Sequence, residues 1–423
     1  LPELLVTART SACSFKGQAL PVQEIAAALG VTHIVEGSVR RGGERLRVTA
    51  QLIRAEDGFH LWSENYDSTS TDAIAVQENI AEKIAVAMDI VLDEEKRKAM
   101  RKAGLRDVEA FTHLQKGIEF YNLAHGEMNQ IDGLRQANAY FEKTMQRVPD
   151  FARTYVYHSD LFVHILTNDA VGRVMPNVSA EDIARAYPAA IADYEAAVLH
   201  ASTTEMRDTS ALNLAYISGN WRGLTGRLDK VLSSSSCFAG NWLPNIANTF
   251  GYSEQHYEHA LRVIACDPRR NLSWLDASRA ALWKGDMMEA QRLAREGMEV
   301  APGFWLVEHE IFLLIAAGSF EEANRQIESR IQDVGSTLYL RIMMAARQGD
   351  AELARQLTER YDSEVGRRLR SIIVRAWSGD RQGANRLAAE IDRHAFGFPT
   401  MVGTAFWCAC GAPWDLDLSL IHI

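Results

Sequence analysis

GDMMEAQRLAREGMEVAPGF, residues 285–304, decides the fold. Gly285 can take the left-handed backbone that ends one helix, and a helical pattern resumes at once. Ala290 and Ala294 stand one turn apart, where small side chains let a helix lie close against another. Gly297 adds a small position, and Pro302 closes the run. An earlier stretch, LRQANAYFEKTMQRVPDF (134–151), repeats the plan: Ala137 and Phe141 stand before Pro149 at the same offsets as Ala290 and Ala294 before Pro302. Pro268 lies one repeat length before Pro302. A second ruler agrees. Gly219, Gly251, Gly285, Gly318, Gly349 and Gly379 recur at intervals of roughly 30–34 residues, the period of a two-helix repeat. In the last four, alanine follows at the same short offset, as Ala290, Ala323, Ala354 and Ala384.

A period of this length, with small residues at a helix crossing and proline after the second helix, resembles the tetratricopeptide (TPR) repeat. The resemblance implies seven or eight antiparallel helix pairs over 107–423, with each glycine at the turn inside a pair. Such a pair buries one face only by stacking on the next. Gly411 starts a further interval after Gly379, but only the apolar DLSLIHI ends the chain. The last repeat is therefore expected to be truncated. The least regular section is 166–206, where NDAVGRVMPNVSAED is expected to be a loop and Pro188 to kink the helix around it. SSSSCFAG (233–240) reads as another exposed loop.

The first hundred residues read differently. LLVTAR (4–9) is a strand candidate, and PVQEIAAALG (21–30) has the proline start and glycine stop of a helix. Val35, Val39, Leu46, Val48, Ala50 and Leu52 alternate with polar residues on either side of Gly42-Gly43, the pattern of a β-hairpin. FHLWSENY (59–66) is a third strand, and 72–102 a long helix with Ile80, Ile84, Met88 and Val91 on one stripe. GVTHIVEGSVRR (30–41), VTAQLI (48–53) and HLWSENYD (60–67) resemble the TolB N-terminal-like domain. That module recurs in bacterial signalling proteins beside class III adenylate cyclase domains or CadC-like winged-helix regulators. A further strand and helix usually precede the LLVTAR-like strand in that family, so the resemblance implies a fragment with one sheet edge lacking a partner. The expected fold class is thus a small α/β domain, a partial TolB-like sheet over 1–104, followed by an all-α TPR-type superhelical array.

Composition narrows the function. The 423 residues carry a net charge of −10, which argues against a general nucleic-acid binder. Residues 1–66 hold seven basic and seven acidic side chains, so Arg40, Arg41, Arg45 and Arg47 read as a solvated hairpin tip that discourages edge pairing rather than a phosphate site. No apolar run of the roughly 18 residues that a membrane span needs is present. The compartment stays open. The reading favours the cytoplasm, and the periplasmic side of an inner-membrane protein remains compatible with the families it resembles. Nothing in the sequence speaks to oligomeric state.

No reactive constellation stands out. The five cysteines are scattered, with Cys408 and Cys410 in an apolar run, and read as buried thiols. His256 and His259, three apart on a helix, lack a third ligand. Glu308 with Glu310, and Glu321 with Glu322, do not share a helix face. These residues are therefore expected to hold no cofactor, metal or catalytic machinery. The expected functional surface is the inner lining of the array. Counting back ten and six positions from the turn glycines selects Asn213, Asn241, Asn245, Arg279, Glu308, Tyr339 and Met343 to hold a protein or peptide. The lining lacks the Lys/Asn clamp known in chaperone-tail-binding repeats. A second reading is a small-molecule sensor with an aromatic pocket near Trp274, Trp283 and Trp305.

Overall fold

Where Gly285 ends one helix, Asp286 starts the next, and a computed structural model of the chain shows how. Gly285 has φ +90°. The Gly285 amide bonds the Leu282 carbonyl and the Asp286 amide the Ala281 carbonyl, closing the first helix. The Asp286 carboxylate then accepts the Glu289 amide at 2.9 Å and caps the second. Asp350 and Asp380 cap in the same way after Gly349 and Gly379. All six ruler glycines have positive φ, between 71° and 90°. That region costs a residue bearing Cβ roughly 1–2 kcal/mol, which is why glycine recurs there.

The structure describes residues 6–390 apart from 8, 44, 70–72, 91, 94–103, 127–129, 171–174, 176, 235–241, 333 and 361–363. Within them the chain forms a TPR-type array of eight helical hairpins: α4 (Val108–Gly126) with α5 (Gln130–Arg147), α6 (Ala152–Ala170) with α7 (Ala180–His200), α8 (Thr204–Ser218) with α9 (Leu224–Ser233), and α10 (Leu243–Thr249) with α11 (Ser253–Cys266). The other four are α12 (Asn271–Trp283) with α13 (Met287–Val300), α14 (Phe304–Ala316) with α15 (Phe320–Arg330), α16 (Val334–Gln348) with α17 (Ala351–Thr358), and α18 (Glu364–Trp377) with α19 (Arg381–Glu390). First helices touch the first helices of neighbouring hairpins, α10 to α12 to α14 to α16 to α18, so they make a layer of their own. The alanines that follow the last four turns, Ala290, Ala323, Ala354 and Ala384, are buried. Phe141 is fully buried against Gly117, where an added Cβ would lie 2.4 Å from its ring. Pro188 sits inside a continuous α7, which starts from a Ser179–Asp182 capping box. Gly411, the residues around it, Cys408 and Cys410, and most of 233–240 lie outside the described residues.

The α/β part is a three-stranded antiparallel meander of β1 (His33–Gly42), β2 (Arg45–Arg54) and β3 (His60–Thr69), in the order β1-β2-β3. Val39 faces Val48, Val35 faces Leu52, and Leu52 faces Trp62. Alternation puts those residues on one face and Ser38, Arg40, Arg47, Thr49, Asn65 and Asp67 on the other. Helix α3 (Ala73–Ala87) packs on β2 and β3. Leu52 and Ala50 on β2 and Ala85 on α3 are buried, while Val35 and Val39 on the edge strand stay exposed. Helix α2 (Val22–Leu29) ends on left-handed Gly30.

Several expectations fail here. The expected hairpin turns at Gly43, at φ 66°, while Gly42 stays in the strand paired with Arg45 rather than sharing the turn. The long helix stops at Ala87 because Asp89 turns left-handed, at φ 58°, so Met88 leaves the stripe; Val91 is outside the described residues. The LLVTAR segment makes no strand among its described residues, and Arg9 opens the short helix α1 (Arg9–Cys13). That helix docks on the array: buried Ser11 donates to the Asp267 carboxylate and accepts the Arg269 amide at 2.9 Å, and the Arg269 guanidinium lies 4.8 Å from the centre of the Phe15 ring. Cys266 is disulfide-bonded rather than a free thiol, and Cys13 is free and exposed.

Candidate functional site

The layer of first helices carries the residues selected by register, with an uneven outcome. Asn245, Arg279, Glu308 and Tyr339 are half-buried on it. Asn213 and Met343 are buried and cannot contact a ligand; Asn241 lies outside the described residues. The failures have a geometric cause. Distance from a turn fixes the height of a residue on its helix, but at about 3.6 residues per turn the sixth position back falls on the border between the open face and the packed one. Small rotations of each helix decide the outcome.

The ninth position back, which the register count passed over, brings two side chains to the preceding first helix, His309 to Ser278 and Arg370 to Tyr339. Trp242, Asp276, His309 and Arg370 stand there. Burial pushes the Asp276 carboxyl up to about 6, against the opposing pull of Arg270 and Arg279. Burial and the neighbouring Arg279 charge hold His309 well below the ordinary imidazole range, and its Nε2 lies 3.0 Å from the Ser278 hydroxyl. Arg370 lies 6.0 Å from the centre of the Tyr339 ring, a cation–π contact. The layer thus carries acid, base and aromatic groups along its length.

A denser arrangement lies in the first two hairpins. His125, in the last turn of α4, places Nε2 3.1 Å from Asp160 Oδ2 on α6. His164, one turn beyond Asp160, places its Nε2 3.5 Å from the same oxygen. The Tyr121 carbonyl lies 2.8 Å from His125 Nδ1, and the Gln130 amide nitrogen 3.3 Å from His164 Nε2. Trp242, at the start of the short α10, reaches back so that its ring centre is 5.4 Å from that of His164. Burial acts to lower the His125 pKa, but the Asp160 carboxylate and the Tyr121 carbonyl outweigh it and the net shift is upward; the Arg270 charge opposes them. The i, i+4 spacing of Asp160 and His164 was visible in the sequence. The third member, one hairpin upstream of Asp160, had no local signal.

The other candidates resolve as structure. His256 and His259 are buried and held neutral, pushed by burial down to about 3 and about 4. His256 Nδ1 lies 3.1 Å from the Asn248 side-chain oxygen. Trp274 is buried, donates to the Pro268 carbonyl at 2.7 Å and packs where Gly297 leaves room, which is a gap-filling role. Trp283 and Trp305 are half-buried. Among the hairpin arginines, Arg47 pairs with Asp67 through two bonds of 2.6 and 2.8 Å on the exposed polar face of the sheet. No described helix is long and apolar enough to cross a membrane.

No family model matches the chain. A stretch of 108 residues is 36% identical to putative adenylate cyclase 3 of Rhizobium meliloti (strain 1021), covering 26% of this chain and 18% of that protein. The match therefore spans less than a fifth of the relative's length. Among solved structures, the TPR domain of P58(IPK) aligns over 71% of this chain and 98% of its own, at 12% identity and a TM-score of 0.21. Fit at that level carries no weight, and the array rests on the hairpins and turns described above.

Proposed function

We propose that this chain is a non-enzymatic regulatory and interaction region of a bacterial signalling protein. The helical array binds a protein or peptide on its layer of first helices. The α/β part, read by its resemblance as a TolB N-terminal-like unit, connects the array to an output domain of the class III adenylate cyclase or winged-helix kind. The single observation that supports binding is the run of half-exposed Asn245, Arg279, Glu308 and Tyr339 along one layer of a stacked array. Side chains repeated at each step of a stack suit an extended ligand. The stretch shared with a putative adenylate cyclase supports the signalling setting. Binding would regulate output only if the partner favoured one arrangement of the output domain over another.

Photo-crosslinking tests this. A photoreactive residue replacing Tyr339 or Glu308 in the full chain should give one adduct of defined mass in cells. The same residue replacing Arg325, exposed on a second helix, should give none. Equal labelling from both faces, or from neither, contradicts the proposal. The small-molecule reading is weaker, because Trp274 is occupied in packing.

A further inference from the structure

We propose that His125, Asp160 and His164 bind one divalent transition-metal ion of the zinc class, clasping the first hairpin to the second. The reading is independent of the partner-binding function. Three observations carry it.

The first is distance. The two imidazole Nε2 atoms lie 3.1 and 3.5 Å from one carboxylate oxygen, and all three ligand atoms fall within 4.8 Å of one another. Ligands about 2.0–2.1 Å from a tetrahedral zinc ion stand about 3.3 Å apart. The trio is thus already near coordinating geometry.

The second is the direction of the lone pairs. A carbonyl oxygen only accepts, so the Tyr121 carbonyl, 2.8 Å away, fixes the proton of neutral His125 on Nδ1. The Nε2 lone pair then faces a carboxylate oxygen, acceptor against acceptor. The Gln130 amide, 3.3 Å from His164 Nε2, donates to that ring's one lone pair and must turn aside for an ion to bind there. An ion between the His125 Nε2 lone pair and the Asp160 carboxylate would resolve that opposition. The carbonyl behind His125 also matches the outer-shell partner that orients metal-bound histidines.

The third is access and rigidity. Asp160 is 2% exposed, while the His125 and His164 side chains keep 20% and 18%. The Tyr121 ring lies 4.3 Å from His125, centre to centre, and Trp242 borders His164, so both rings are held while their edges remain reachable. Three protein ligands leave a fourth position for water. Arg270 acts against a cation here. The competing arrangement is an imidazolium of His125 paired with Asp160 and no ion.

Titration of the tag-free full chain with Co²⁺ and then Zn²⁺ separates the two. The clasp predicts one equivalent of Co²⁺, the visible absorption bands of a tetrahedral site, and displacement by Zn²⁺. His164→Gln and Asp160→Asn should each weaken binding by at least the roughly 10–100-fold typical of disturbing a metal's outer shell. His256→Gln should leave it unchanged. Zn²⁺ should also raise the melting temperature of the wild-type chain and not that of His164→Gln, whose ring edge is partly exposed and whose fold is checked by circular dichroism. No saturable cobalt band, or equal affinity in wild type and His164→Gln, overturns the proposal in favour of the ion-free pair.

Discussion

The two ends of the array solve the same packing problem differently. From α12 onward each hairpin is short, its turn is a left-handed glycine, and the next helix begins at an aspartate or serine. The first two hairpins use helices of 18 to 21 residues and none of the ruler glycines. Beside an apolar core they gather polar groups from different helices: besides the His125 cluster, His158 Nδ1 pairs with buried Asp193 at 2.7 Å, and the Asn138 amide donates to the His158 carbonyl. The difference is instructive. A regular repeat distributes one side chain per step along a groove, which suits an extended peptide. A departure from regularity lets groups from α4, α6 and α10 converge, which suits an ion.

The comparison breaks most visibly at Phe141. Phe141→Ala removes a fully buried ring from the irregular end and should cost about 3–5 kcal/mol in chemical denaturation, with early loss of structure in α4 and α5. Loss spread evenly over all eight hairpins would show that the two ends are one cooperative unit.

Acid comes next. His256 and His259 have folded pKa values below the ordinary 6.5, so the unfolded chain binds protons first as pH falls. Their contribution is fully present above pH 6.5 and is lost as pH drops toward about 4 and then about 3, at no more than about 1.4 kcal/mol per pH unit for each. Asp276 works in the same pH range with opposite sign: its raised pKa favours the folded state below about 4 and the gain is lost through about 6. His256→Asn should therefore flatten the stability–pH curve between about 6.5 and 4. An unchanged slope would show that His256 is not the group resisting protonation.

Smaller effects sharpen the account. Gly285→Ala and Gly318→Ala place a Cβ at φ +90° and +81° and should each cost about 1–2 kcal/mol of stability. Nothing lies within 4 Å of a Cβ built on Gly318, so the loss there isolates backbone strain from crowding. Arg47→Ala removes an exposed ion pair on the sheet and should leave the thermal midpoint unchanged.

The glycine phasing was legible because a left-handed turn leaves the chain little choice of residue, and one β-hairpin was legible through its period of two. What escaped was set at a distance. LLVTAR has the composition of a strand, yet its Arg9 is helical, in the α1 helix that Ser11 anchors on the far-removed Asp267. Helix α3 ends at a left-handed aspartate, which no local pattern announces. Asn213 and Met343 were placed at the correct height on their helices and the wrong side of them. The histidine cluster escaped because the Asp160–His164 spacing alone signals nothing, and only the contact of α4 with α6 brings His125 to Asp160.

Hydrogen–deuterium exchange of the full chain, with and without one equivalent of Zn²⁺, tests most directly whether convergent chemistry belongs to the irregular end. The account predicts added protection in α4, α6 and the start of α10, with α12–α17 unchanged. Protection that appears in α12–α17 instead, or at no site, contradicts it.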